Sequence, residues 1–188
     1  MGYITIIGGV PCSGKSTLMK EIKEKTKCKN EFEYKLVRGH NDDSMENVIL
    51  GVYGDSAEIF SGTDRLSMAV QPDAVEFLRK GQFDNAYIEG DRLFKPSFIR
   101  NCSMLTTDLR VVVLEAGKET LEKRHEERGD NQTKEWIKAK RTTVDNIKNA
   151  FPCHVLSNND LNEMSTNIDY ILNKEFNRAV NPAQASLF

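Results

Sequence analysis

The chain predicts an α/β fold, a parallel sheet of about five strands flanked by helices, from three features. The segment Tyr3 to Ile7 is short, apolar and β-branched, and it stops at Gly8 and Gly9 as a doubly buried parallel strand does. A glycine-containing turn follows, and from Lys15 to Lys27 the apolar residues Leu18, Met19 and Ile22 recur at helical spacing among Lys and Glu. Further on, strand-like and helical stretches alternate, which calls for parallel strands covered on both faces.

The later strands fall at Tyr34 to Val37, Asn47 to Val52, Asn85 to Ile88, Leu109 to Leu114 and Cys153 to Leu156. Leu109 to Leu114 is the clearest, because Val111, Val112, Val113 and Leu114 are contiguous. Helices are expected at Pro72 to Lys80, Pro96 to Cys102, Lys118 to Arg128, Thr133 to Asn149 and Leu161 to Leu172. Most begin after Ser, Thr, Asp, Asn or Pro, residues that cap or start a helix. With 188 residues the chain makes one domain, assigned to residues 1–176, followed by a polar, proline-containing tail over 177–188.

A net charge of −2 argues against a globally basic nucleic-acid binder, though a local patch survives such an average. No apolar run approaches the roughly 20 residues that cross a bilayer, and Met1 to Val10 lacks a signal peptide's basic start and cleavage site. Cys12, Cys28, Cys102 and Cys153 form no CxxC pair and do not cluster with His40, His125 or His154, so neither a zinc site nor a disulfide framework is signalled. A reduced, cytoplasmic protein with no membrane partner is the expectation.

The strongest signal is chemical. Gly9, Val10, Pro11, Cys12, Ser13, Gly14, Lys15 and Ser16 fit GxxxxGK[ST] at every fixed position, between a predicted strand and a predicted helix. In such a loop backbone N–H groups cradle phosphates at a helix N-terminus, Lys15 neutralises the β- and γ-phosphates, and the Ser16 hydroxyl ligates Mg²⁺. The nucleotide-binding set is therefore Gly9, Cys12, Ser13, Gly14, Lys15, Ser16 and Thr17, with ATP and Mg²⁺ as expected cofactors.

This opening, followed by an alternating α/β layout, resembles the nucleoside and nucleotide kinases of the P-loop fold, and the resemblance implies an ATP-dependent phosphotransferase with a helical lid. A GTPase is disfavoured by the lack of an NKxD motif. In NAYIEGDRLF, Asn85 to Phe94, the acidic residues follow a strand where ligands of open α/β sheets sit. Glu89 and Asp91 are its candidate magnesium-side or base carboxylates, and Asp91 with Arg92 resembles the Asp-Arg pair of thymidylate-kinase-like enzymes. Arg124 and Arg128, one helical turn apart, resemble the arginines of a lid over about Lys118 to Arg141, with Gly129 as its hinge.

On the acceptor side Asp64, in Ser61 to Ser67 (SGTDRLS), is the preferred base, and its pairing with Arg65 is similar to phage polynucleotide kinases. Arg38 and Arg65 are candidates to hold an acceptor phosphate, Gln71 to read a pyrimidine-like edge, and Tyr53 and Phe60 to stack a base. Trp136 sits among Lys134, Lys138, Lys140 and Arg141 in a basic, aromatic strip suited to nucleic acid.

The terminal Gln184, Ala185, Ser186, Leu187 and Phe188 resemble the QxxLF-type peptides that dock replication proteins on the sliding clamp, which implies partner contacts by Gln184, Leu187 and Phe188. Together with the kinase features this tail is similar to bacteriophage kinases that phosphorylate 5-hydroxymethyluracil in DNA. That resemblance implies modified DNA as substrate and the cytoplasm of an infected bacterium as location. A deoxynucleoside monophosphate kinase, a polynucleotide 5′-hydroxyl kinase and an accessory factor using ATP only as a switch are the alternatives.

Overall fold

The structure is a computed structural model and describes residues 2–54, 61–129 and 132–173. Phe60 and the tail residues Gln184, Leu187 and Phe188 lie outside the described residues. In chain order the elements are β1 (Ile4–Gly9), α1 (Lys15–Lys25), β2 (Asn30–Tyr34), β3 (Val37–Asn41), β4 (Asn47–Leu50), a 3-10 turn (Thr63–Arg65), α2 (Gln71–Lys80), β5 (Asn85–Glu89), α3 (Pro96–Ser103), β6 (Leu109–Glu115), α4 (Lys118–Arg128), α5 (Lys134–Ala150), β7 (His154–Ser157) and α6 (Leu161–Leu172).

The strands form one seven-stranded sheet in the order β2-β3-β4-β5-β1-β6-β7. From β4 to β7 every neighbouring pair is parallel, so this part is the five-stranded parallel sheet expected. The other two strands correct the sequence reading. Tyr34 to Val37, expected as one strand, is the tip of an antiparallel hairpin in which Tyr34 faces Val37 and Lys35 adopts a left-handed φ of 54°. The arm β2 is an edge strand with Glu31 and Glu33 exposed and only alternate residues apolar, too weak a pattern to stand out. Phe32 holds it to the domain by stacking on Phe77 at 5.0 Å. The strand Asn47 to Val52 stops earlier than expected, at Leu50, because Gly51 turns the chain with φ 116°.

Alternation along β1 explains the layers. Ile4 and Ile6 face a core with Ala74 and Leu78 of α2, Phe98 and Ile99 of α3, and Val144 and Ile147 of α5. Tyr3 and Ile7 face the opposite core with Leu18, Met19 and Ile22 of α1 and Ile168 and Ile171 of α6. Both faces being covered, the strand reads as almost continuously apolar, with only Thr5 polar. α4 differs from the other helices: none of its residues is buried, and it ends at Gly129 in the left-handed conformation, φ 61°. Only the second half of α5 is anchored in the core, through Val144 and Ile147.

The parallel register brings the carboxyl ends of the strands to one edge. Ile7 lies beside Glu89, Gly9 beside Leu114, and Glu115 beside Ser157. The loops leaving β1, β5 and β7 therefore converge above that edge, where open α/β sheets hold ligands. At the opposite end Arg110, 2% exposed, closes α6. Its guanidinium donates to both Asp108 carboxylate oxygens and to the carbonyls of Ile171 and Asn173, and lies 3.6 Å from the Tyr3 ring centroid. Arg110→Ala removes these bonds and the packing on Tyr3, and should destabilise the fold by about 2–3 kcal/mol in urea unfolding. A loss under about 0.5 kcal/mol contradicts the role given to Arg110.

Candidate active site

The turn between β1 and α1 takes its shape from residues that tolerate unusual backbone angles. Gly9 has φ 149°, Cys12 60° and Gly14 92°. A Cβ on Gly14 meets the Asn158 side-chain nitrogen at 2.3 Å, so glycine is required by space as well as by angle. No side chain caps α1 and no acidic residue stands in its first turn, which leaves its N–H groups turned towards an anion. Lys15 Nζ folds back to donate to the carbonyls of Gly9 and Val10, both at 2.9 Å. Ser13 is fully buried, with a hydroxyl that has no partner, and Thr17 is exposed at the rim.

The loop opens on a cleft of about 880 Å³, whose walls include Cys12, Gly14, Lys15, Ser16, Thr17, Asp64, Glu89, Asp91, Arg92, Arg124 and Arg128. Three carboxylates of this wall stand in different environments. Glu89, 2% exposed, accepts from Tyr53 OH at 2.9 Å and from Ser16 Oγ at 3.4 Å. Burial pushes its carboxyl up to about 7, against the opposing pull of Lys15. Asp64 is also raised, first by burial and then by the charge of Asp91, with Lys15 and Arg92 opposing. Its Oδ1 is buried with no hydrogen-bond partner, and the glycine at position 90 leaves it room, since a Cβ there meets Asp64 Oδ1 at 3.3 Å and Thr63 Oγ1 at 2.5 Å. Asp91 pairs instead with Lys140 of α5. The carboxylate touching Ser16 is thus Glu89, while the expected magnesium partner Asp91 is engaged by a lysine.

The two arginines of α4 are placed differently. Arg124 donates to the carbonyls of Cys12, Asn158 and Asn159, at 3.2, 3.0 and 2.9 Å, and so ties the phosphate loop to the segment after β7. Asn158 strengthens that tie by donating to the Ser13 carbonyl at 2.8 Å. Arg128 is exposed and lines the cleft. Cys12 Sγ lies 3.4 Å from His125 Nδ1, a further contact of α4 with the loop.

Four candidates stand apart from this cleft. Arg38 donates to the Arg65 carbonyl and lines a separate hollow of about 220 Å³ with Glu31, Phe32 and His40. Arg65 does not line the main cleft, and Gln71 pairs with Ser97 where α2 and α3 begin. Tyr53, expected to stack a base, is 3% exposed, and its hydroxyl is committed to Glu89. Sequence reasoning missed Asn158 and Asn159, whose only sign is a polar run after β7, and Gln132, which lines the cleft with its Oε1 buried and unpartnered.

Residues 2–167 match the model of a family described as P-loop Nucleotide Kinase3. No curated protein sequence matches the chain. Among solved structures it is similar to a gluconokinase from Sinorhizobium meliloti 1021, with a TM-score of 0.52, 12% identity and coverage of 90% of this chain and 93% of that one. It is also similar to an unliganded sugar kinase from Janibacter sp. HTCC2649, at TM-score 0.48 and 13% identity, covering 97% of each chain. A deoxyadenosine kinase from M. mycoides scores 0.48 at 15% identity, over 91% of this chain and 97% of that one. The gluconokinase likeness is one of fold.

Two outcomes follow from this geometry. Glu89 holds its proton more tightly folded, at about 7, than at the ordinary 4.5, so its contribution to stability is complete below pH 4.5 and lost as pH rises to 7. Stability of the wild type relative to Glu89→Gln should fall by about 3 kcal/mol across that window in urea unfolding, and a constant difference contradicts the burial effect. Arg124→Ala should lower stability by about 1–3 kcal/mol, because three carbonyl bonds are lost, and an unchanged melt contradicts the tie.

Proposed function

The chain belongs to the P-loop nucleotide kinase 3 family and is a nucleotide-dependent phosphotransferase; from that premise we propose that it transfers the γ-phosphoryl group of ATP to a hydroxyl of a nucleic-acid component, foremost the 5-hydroxymethyluracil base in DNA. The observation that carries a hydroxyl acceptor is Asp64, a carboxylate on the cleft wall with one buried oxygen free of hydrogen bonds. A hydroxyl nucleophile has a proton to lose, and such an oxygen accepts it. An acceptor phosphate has no such need and is repelled by a carboxylate at that point. Burial and the Asp91 charge raise the proton affinity of Asp64, which suits a proton-accepting role.

In the reaction, the acceptor oxygen forms a bond to the γ-phosphorus, the bond to the β–γ bridging oxygen breaks, ADP leaves, and the hydroxyl proton passes to Asp64. Lys15, released from the Gly9 and Val10 carbonyls, meets the β- and γ-phosphates, and Arg128 answers the charge that spreads onto the transferred oxygens. Arg124 acts as a positioning residue, holding the phosphate loop against the segment after β7. The hard-oxygen pair of Ser16 and Glu89 fits Mg²⁺, with Ser16 as ligand and Glu89 beside it. Bound with the nucleotide, the ion neutralises charge on the β- and γ-phosphates.

The nucleic-acid acceptor is supported by the resemblance of the kinase features and terminal peptide to phage DNA-base kinases, and the GTDRLS and EGDR stretches contribute to the cleft through Asp64, Glu89, Asp91 and Arg92. A deoxynucleoside monophosphate acceptor is the second reading. It is favoured by Arg92, whose buried Nε has no partner, a setting for an anion.

The test is transfer from γ-labelled ATP to three acceptors in parallel: duplex DNA bearing 5-hydroxymethyluracil, the same DNA unmodified with free 5′-hydroxyls, and a panel of deoxynucleoside monophosphates. Label in the modified duplex alone is expected, and label only in monophosphates selects the second reading. Asp64→Asn should lower kcat about 10²- to 10⁴-fold with the KM for ATP unchanged, and full activity in that variant removes Asp64 as the base.

A further inference from the structure

One aromatic side chain of the cleft has no part in the phosphate chemistry. Trp136, in the first turn of α5, lines the cleft and is 38% exposed, an unusual position for a large apolar ring. Its backbone N–H is held by the N-cap Thr133, at 3.2 Å from Oγ1, so the helix start fixes the position of its backbone. The Lys140 ammonium lies 5.0 Å from its ring centroid and at the same time pairs with Asp91. Trp136 is therefore one ammonium away from Asp91, the carboxylate whose charge acts on Asp64.

The sheet order says which substrate the ring faces. Asp91 follows β5, on one side of β1, whereas the Asn158 and Asn159 segment tied to the phosphate loop follows β7, on the other side beyond β6. Lys140 links the indole to Asp91 on the β5 side, in the cleft that Asp64 and Arg92 also line. Gln132, four residues earlier, lines the same cleft, and its buried Oε1 lacks a hydrogen-bond donor. An imide N–H of a uracil-type base is such a donor.

We propose that Trp136 is the stacking platform for the acceptor nucleobase, with Gln132 reading its edge, so that the base lies unstacked from its own strand with its hydroxyl near Asp64. This rests on the nucleic-acid reading above. A base in a duplex is reached by extrusion onto such a surface, and a tryptophan face accepts it while the amide selects among bases. Lys140 has two roles here: it holds the ring on the acceptor side and offsets the charge of Asp91.

Trp136 is the chain's single tryptophan, so intrinsic fluorescence reports on this ring alone. The full-length protein is titrated with an oligonucleotide carrying 5-hydroxymethyluracil, with the same strand abasic at that position, and separately with a non-hydrolysable ATP analogue. Quenching by the base-bearing strand, with little by the abasic strand or by the analogue, is the expected result. In steady-state assays Trp136→Ala should raise the acceptor KM about 5- to 100-fold with the KM for ATP unchanged, and Trp136→Phe should recover most of the loss. Quenching by the ATP analogue alone assigns the ring to the donor and overturns the proposal. Phosphorylation of the modified base with no quenching and an unchanged acceptor KM in Trp136→Ala overturns the stack while leaving the function standing. Transfer only to a non-aromatic hydroxyl, again without quenching, overturns both.

Discussion

A single lysine ammonium set among buried acids is the interaction on which the active edge of the sheet depends. Lys15 exerts a stabilising field on both Glu89 and Asp64, while burial and a neighbouring carboxylate, Asp64 for Glu89 and Asp91 for Asp64, oppose the ionisation of each. Because the β1–β5 register sets Ile7 beside Glu89, the strand that leads into the phosphate loop and the strand that ends in the acids cannot slip without separating these charges. The ammonium donates to two loop carbonyls and also acts electrostatically on the carboxylates. In the proposed reaction, phosphate binding would exchange one set of oxygen partners for another around a charge already in place, which lowers the reorganisation required.

The rest of the cleft is held by contacts that cross the sheet. Arg124 spends its guanidinium on three backbone carbonyls, so the least buried helix of the fold, α4, is nonetheless fastened at the point where the phosphate loop meets the segment after β7. Lys140 does the corresponding work for α5 on the β5 side. Both ties are made by cations on helices with little or no core of their own, to groups whose position the sheet sets. Neither depends on apolar burial, so each can yield to a charged ligand more easily than a packed core contact can.

The readable parts of the fold were those with a strong local rule. The phosphate loop carries its function in residue type and spacing, and the doubly buried strands announce themselves as β-branched, mostly apolar runs at Ile4 to Ile7, interrupted only by Thr5, and Val111 to Leu114. The hairpin of β2 and β3 was not readable, because Glu31, Phe32, Glu33 and Tyr34 alternate over too few residues, and the left-handed Lys35 at the tip is not a customary turn residue. Among site residues, Asp64, Asp91 and Arg92 belong to recognisable stretches and line the cleft; Arg65 shares the stretch of Asp64 yet lies outside it, as do Arg38 and Gln71, whose residue type alone suggests a role.

By itself, then, the amino-acid sequence determined the alternating α/β plan, the phosphate loop and the acids that follow β5, because each is encoded within a few consecutive residues. Only the tertiary structure decided which carboxylate meets Ser16, that Arg124 grips backbone carbonyls, that Tyr53 is sealed against Glu89, and that Lys140 pairs with Asp91. Those pairings join residues 34 to 112 positions apart in the chain, as for Arg124 with Asn158 and with Cys12. No local pattern encodes them; they follow from strand order and register, which are properties of the whole sheet.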